Sequence, residues 1–196
     1  MLAGTGKGIT VAVLDTGCDT NHPLLRDKII KTNNVAGMFS PIVSDKNGHG
    51  THVAGIIAGD KVGVAPDAKL IIVKVLDDNG NGSYDNIVKG IEYAIQQNVD
   101  VINLSLGGRL DYAPLHNVVK KAVGAGISVV VASGNNGDSD GDTDEICYPA
   151  FYEEVIEVGA IDFNDTAARF SNSNVHLDVC SYGVDIISSY PNGQQA

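Results

Sequence analysis

Asp15 closes a short apolar run, Ile9-Thr10-Val11-Ala12-Val13-Leu14, and is followed by Thr16-Gly17. A carboxylate in that position could cap a turn, ligate a metal, or hold and orient a histidine. His49 follows Asn47-Gly48 and opens an apolar stretch. A lone histidine is usually structural, but one beside a buried carboxylate could act as a general base. His49 and His52 are three apart, a spacing that a metal pair would use, although no third ligand has a clear place. Asp138, Asp140, Asp142 and Asp144 alternate in a glycine-containing loop that could wrap calcium, a solvated acidic loop being the plainer reading. Cys18, Cys147 and Cys180 are an odd number with no C-x-x-C pair, so neither a disulfide framework nor a zinc site is indicated.

These groups need a scaffold, and its elements are legible. Gly8 to Asp15, Leu70 to Leu76, Val99 to Leu104, Ser128 to Ala132 and Val155 to Ala160 read as buried strands. Gly48 to Ala58 reads as a helix with Val53, Ile56 and Ile57 on one face. A second helix starts at Ser83 as N-cap and repeats Ile87, Ile91, Ala94 and Ile95. A third runs from Leu115 to Ala125, with Gly126 as its C′ residue. Beyond Phe170 only short β-like runs, around Val179 and Ile186-Ile187, stand out. Strand and helix alternate without a linker or repeat. The expectation is one α/β domain over residues 1–196, a mostly parallel sheet with helices on both faces. Ligands of such sheets bind beyond the carboxyl ends of the strands, where Asp15-Thr16-Gly17, Ser105-Leu106-Gly107-Gly108 and Ser133-Gly134-Asn135 all fall.

With 24 acidic against 13 basic residues the net charge is −11, which disfavours nucleic acid and anionic membranes as partners. No apolar run approaches the roughly 18 residues that a membrane span needs. The first residues carry no apolar signal segment, and with the unpaired cysteines this points to the cytoplasm. No strand leads into G-x-G-x-x-G or a Walker lysine, which argues against nucleotide binding.

Taken together, the segments resemble the subtilase family of serine proteases. Val13-Leu14-Asp15-Thr16-Gly17 matches the family's aspartate motif and Asn47-Gly48-His49-Gly50-Thr51-His52-Val53-Ala54-Gly55 its histidine motif. Ser105-Leu106-Gly107-Gly108 and Ala132-Ser133-Gly134-Asn135 match its substrate and oxyanion segments. Cys18-Asp19 and the acidic Gly137 to Glu145 stretch are similar to the intracellular subtilisins of spore-forming bacteria. The resemblance implies a subtilisin-like fold and a serine endopeptidase acting on polypeptides. In it, Asp15 orients His49, His49 moves the serine proton, and Asn135 donates to the oxyanion. Ser105, Leu106 and Gly107 would line one side of the P1 pocket and Ala132, Ser133 and Gly134 the other. Cys147 would lie at its base and His52 would be structural. A pocket so lined would prefer apolar or aromatic P1 residues.

The family nucleophile lies in a Gly-Thr-Ser-Met-Ala motif, which the resemblance places just after Ala196. The expectation is therefore a domain incomplete at its C-terminus, inactive alone, that either self-associates or takes the missing segment in trans. A non-catalytic, subtilase-like binding protein is the alternative. The chemistry requires no cofactor. Extracellular members hold calcium with an Asp after a His-Pro pair and with a loop after the histidine helix. Here Leu24 follows His22-Pro23 and Gly59 to Gly63 is short, leaving the Asp138 to Asp144 loop as the candidate for a structural calcium.

Overall fold

The computed structural model describes residues 4–37, 41–138 and 143–196. The chain forms two compact units, Met1–Asn103 with Ile187–Ala196, and Leu104–Ile186.

In the first unit the strands β1 (Thr10–Asp15), β2 (Ile29–Asn34), β3 (Lys69–Lys74) and β4 (Val101–Leu104) lie in the order β2-β3-β1-β4 and pair in parallel. β1 is apolar on both faces because both faces are covered. On one, Val11, Val13, Leu70 and Ile72 pack with Ala54 and Ala58 of helix α1 (His49–Ala58). On the other, helix α2 (Tyr84–Gln96) approaches so closely that a Cβ on Gly90 would stand 2.6 Å from Val75 and 3.1 Å from Leu14. Each fully buried Leu or Ile adds roughly 1.5–3 kcal/mol, so this double cover is the main source of cohesion. Ser83 caps α2 as expected, its Oγ accepting from Asn86 N at 3.2 Å.

Helix α1 is where the expected face shifts. Its buried line is Gly50, Thr51, Ala54, Gly55 and Ala58, whereas Val53, Ile56 and Ile57 are half-buried. The small residues are needed because α1 is approached from two sides. A Cβ on Gly50 would lie 2.2 Å from Gly17 O, and one on Gly55 would lie 2.2 and 2.3 Å from the hydroxyls of Ser188 and Ser189. Those serines belong to the hairpin of β8 (Ser189–Tyr190) and β9 (Gln194–Gln195). Ser188 Oγ donates to His52 O and Ser189 Oγ to Thr51 O, both at 2.8 Å.

In the second unit β5 (Ser128–Ala132), β6 (Ile156–Ile161) and β7 (Val179–Tyr182) pair in parallel in that order. Helix α3 (Ala113–Gly124) buries Leu115, Val118, Val119 and Ala122 and packs on β5. Gly126 follows with φ +83°, a conformation that favours glycine. The architecture is the expected parallel α/β arrangement. Strand β2 was not anticipated, because Lys31 to Asn34 is polar and the strand is at the edge of its sheet. The chain after Ile187 pairs at Ser189–Tyr190 rather than at Ile186-Ile187.

Candidate active site

Asp15 is the last residue of β1, its carbonyl accepting from Val75 N and Leu76 N as the neighbouring strand ends. Its side chain is fully buried, and Oδ1 accepts from Thr16 N and from His49 Nδ1, each at 2.7 Å. A carboxylate can only accept, so the His49 proton sits on Nδ1 and the neutral ring keeps its lone pair on Nε2. The His49 side chain is 48% exposed while Asp15 is 0% exposed. The hydrogen bond that His49 donates to Asp15 raises the imidazole pKa above its ordinary value. Partial burial opposes this, and the charges of Asp15 and Asp45 add to it. One ring nitrogen is thus held by a buried charge and the other is available as a base. Among the described residues Asp15 Oδ2 finds no hydrogen-bond partner.

Asp45 was not singled out in the sequence, yet it ties this pair together. It is 6% exposed and accepts from Gly48 N, Thr51 N and Thr51 Oγ1 at 2.8, 2.8 and 2.7 Å. It also accepts from Thr16 Oγ1 at 2.9 Å and Asn47 N at 3.1 Å. Thr16 Oγ1 in turn accepts from Gly50 N at 3.0 Å. Gly48, at φ +101°, has no capping side chain, so Asp45 caps the start of α1 from three residues upstream. Burial alone would raise the Asp45 pKa, but these hydrogen bonds outweigh it and hold the carboxyl below its usual range. Lys74 Nζ donates to Thr16 O and, at 3.1 Å, to Asp78 Oδ1, fixing the same turn from β3.

The remaining candidates lie in the second unit. Ser133 is buried, Gly134 has φ +119°, and Asn135 is exposed at the end of β5. Their loop is braced by Asn172, also missed in the sequence. Its Nδ2 donates to Ser133 O (2.9 Å) and Glu145 O (3.2 Å), and its Oδ1 accepts from Asn136 N (2.7 Å). A Cβ on Gly134 would meet Asn172 Nδ2 at 2.5 Å, so this brace needs glycine. Ser105 and Leu106 are half-buried and Gly107 is exposed. The strand-like segment ending at Gly108 exchanges two hydrogen bonds with Tyr148, of 2.9 and 2.7 Å. A Cβ on Gly107 would lie 2.4 Å from Cys147 Sγ, so Cys147 closes against the Gly107 backbone. Ala132, the last residue of β5, is exposed. Burial, and then the charge of Glu157, push the Cys147 thiol pKa up, which makes it a packing group rather than a nucleophile. Glu157 thus places a buried carboxyl near Cys147.

Cys18 is likewise buried and its thiol is pushed up to about 12. His52 Nε2 lies 3.2 Å from Ala196 O, and His22, buried, lies 2.8 Å from Gln194 O. The connection after α1 is a tight turn, Gly63 N donating to Gly59 O at 2.7 Å. Asp140 and Asp142 lie outside the described residues. Asp138 accepts from Thr143 Oγ1 at 2.7 Å, and Asp144 is exposed. Among the described residues no group of three His, Cys, Asp or Glu side chains is placed to hold a metal ion, and no helix is long and apolar enough to cross a membrane.

The chain is 52% identical over 199 residues to an intracellular serine protease of Paenibacillus polymyxa, covering 97% of this chain and 61% of that protein. It is 50% identical over 196 residues to the major intracellular serine protease of Bacillus subtilis (strain 168), covering 95% and 61%. To subtilisin E of the same strain it is 46% identical over 200 residues, covering 96% and 50%. The chain thus spans about three-fifths of the length of the first two relatives. The profile of the subtilase family matches residues 6–196, nearly the whole sequence, and the chain belongs to that family.

Proposed function

We propose that these residues form the Asp-His, oxyanion and substrate-pocket portion of a serine endopeptidase of the subtilisin type. The observation that carries the reading is the 2.7 Å bond that an exposed His49 donates to a fully buried Asp15. In this scheme His49 Nε2 takes the proton of a serine hydroxyl as the oxygen attacks the scissile carbonyl. It then returns that proton to the leaving amine, while Asp15 holds Nδ1–H and balances the imidazolium charge. Asn135 donates its side-chain amide to the carbonyl oxygen as that oxygen becomes negative, and Ser105 to Gly107 and Ala132 to Gly134 receive the substrate. The chain spans about three-fifths of the length of its first two relatives, so the tests use the full-length gene product that carries it. The names of the two most similar relatives above support a cytoplasmic site of action.

Hydrolysis of a peptide substrate, blocked by a serine-directed sulfonyl fluoride and abolished in His49→Ala, is the expected result. Asn135→Leu is expected to lower kcat about 100- to 1000-fold with KM little changed, the range known for loss of the oxyanion asparagine in subtilisin itself. Hydrolysis insensitive to both the reagent and His49→Ala would overturn the reading.

A further inference from the structure

Asn172 belongs to no strand or helix and is 1% exposed. Besides the two side-chain bonds to Ser133 O and Asn136 N, its own N–H donates to Gly134 O at 3.1 Å and its carbonyl accepts from Ser133 Oγ at 3.4 Å. One residue thus holds Ser133, Gly134 and Asn136, on both sides of Asn135, while Asn135 stays exposed. The side-chain amide can stand only one way round. Turned over, its NH2 would face the Asn136 N–H and its oxygen would face the carbonyls of Ser133 and Glu145. The support behind it is fixed as well. Glu145 N donates to Ser173 O at 2.9 Å, Glu145 Oε2 accepts from Ser173 N at 2.8 Å, and Ala160 N of β6 donates to Ser171 Oγ at 2.9 Å. The wall up to Ser133 is carried by the sheet itself, Ser133 N donating to Val158 O at 2.9 Å, and the chain is tied again where Gly137 N donates to Phe170 O at 2.9 Å. Between these two points the bonds to Asn172 hold the turn.

We propose that Asn172 is a positioning residue for peptide-bond hydrolysis: it aims the Asn135 amide at the scissile carbonyl oxygen by fixing the backbone on either side of Asn135, and touches no substrate itself. The proposal rests on the protease reading for the role of Asn135. An oxyanion donor accelerates the reaction only if it already points to where charge will develop, so that nothing has to reorganise as the charge appears. A turn released from its brace lets the Asn135 side chain wander, and a displacement of about 1 Å costs up to about 100-fold in rate. Two consequences set this apart from a contribution to stability. The loss falls on kcat rather than KM, because the sheet still carries the wall that receives the substrate. It is also felt only while residue 135 has an amide to aim.

The test is a double-mutant cycle in steady-state peptide hydrolysis, with the full-length gene product and its Asn172→Ala, Asn135→Leu and doubly substituted variants. Asn172→Ala is expected to lower kcat about 10- to 100-fold and to change KM by less than about threefold. Added to Asn135→Leu, the same substitution should lower kcat by less than about threefold more, since no amide is left to position. Asn172→Asp keeps the acceptor for Asn136 N and removes the donor to Ser133 O and Glu145 O. It enters the same cycle and is expected to give the same pattern, so the test stands even if Asn172→Ala fails to fold. A loss as large in the Asn135→Leu background as in the parent, a loss that falls on KM, or a kcat within threefold of the parent would each overturn the proposal. Parent hydrolysis that a serine-directed sulfonyl fluoride does not block would instead overturn the protease reading, and the proposal with it.

Discussion

Replacing Asp45 by alanine removes the acceptor of five hydrogen bonds at the start of α1. The hydroxyls of Thr16 and Thr51 can turn toward other acceptors, but the amides of Gly48 and Thr51 are fixed by the helix. Each stranded buried amide costs about 1–3 kcal/mol, so the loss is about 4 kcal/mol, with a range of about 2–6. For a chain of this size 1 kcal/mol moves the melting point by about 2–4 °C, so Tm should drop by about 8–16 °C. Asp45→Asn keeps one acceptor oxygen and turns an amide against a donor, so a smaller loss of about 2–3 kcal/mol is expected. Acid provides an independent check. The Asp45 carboxyl is held below its ordinary pKa when folded, so its stabilisation is present above the unfolded value and is lost as pH falls through the folded one. Tm of the parent should therefore fall more steeply in acid than that of Asp45→Asn. The measurements are thermal and urea unfolding followed by circular dichroism. An Asp45→Ala protein melting within about 2 °C of the parent would refute the assignment of Asp45 as the cap of α1.

Gly134→Ala combines φ +119° with a Cβ 2.5 Å from Asn172 Nδ2, and is expected to cost about 1–3 kcal/mol and most of the peptidase rate of the full-length protein; normal kcat and Tm would contradict the brace. Gly55→Ala overpacks α1 against Ser188 and Ser189 by about 1–3 kcal/mol, and Ser188→Ala/Ser189→Ala in the same chain should recover part of it; thermal melts of the three proteins decide. The Asp15 bond raises the His49 pKa, so kcat/KM should rise with pH through a midpoint above the ordinary value of about 6.5, and Asp15→Asn should move that midpoint down while slowing the reaction. By the same linkage the pair stabilises the fold fully below about pH 6.5 and loses that contribution as pH rises through the folded pKa of His49, a loss that Asp15→Asn should abolish in unfolding measurements.

The Asp15–His49 contact was legible because each residue lies in a contiguous motif whose residue types announce the local backbone, and Asn135 was proposed on the same ground. The partners that hold them were not. Asp45 precedes His49 by four residues in a polar stretch, where a capping carboxylate looks like a loop charge. Asn172 stands 37 residues after Asn135 in sequence but bonds directly to its loop, a contact that only the fold creates. Glu157 interrupts the apolar run from Val155 to Ala160, and nothing local reveals that its charge is buried. The face of α1 was misjudged for a related reason. Apolar size predicted Val53, Ile56 and Ile57, but the tightest neighbours are a backbone oxygen and two hydroxyls, which select glycine and alanine instead. β2 escaped because edge strands need bury little, and Lys31 to Asn34 are polar.

The hairpin of β8 and β9 closes the first unit from the far end of the chain. Ser188 and Ser189 bond to carbonyls 136 and 138 positions earlier, and His22 meets Gln194 across 172. At a ribosome working at roughly 5–20 residues per second, the glycine face of α1 waits about 7–27 s after its own synthesis for its cover to appear. During that interval the whole second unit is made and can fold first, as an insertion emerging ahead of the closure of its host. The unit that holds the Asp15–His49 pair therefore closes only after the second unit has been made. A nascent chain released before Ser188 would carry its aspartate and histidine on a helix still lacking one of its two neighbours.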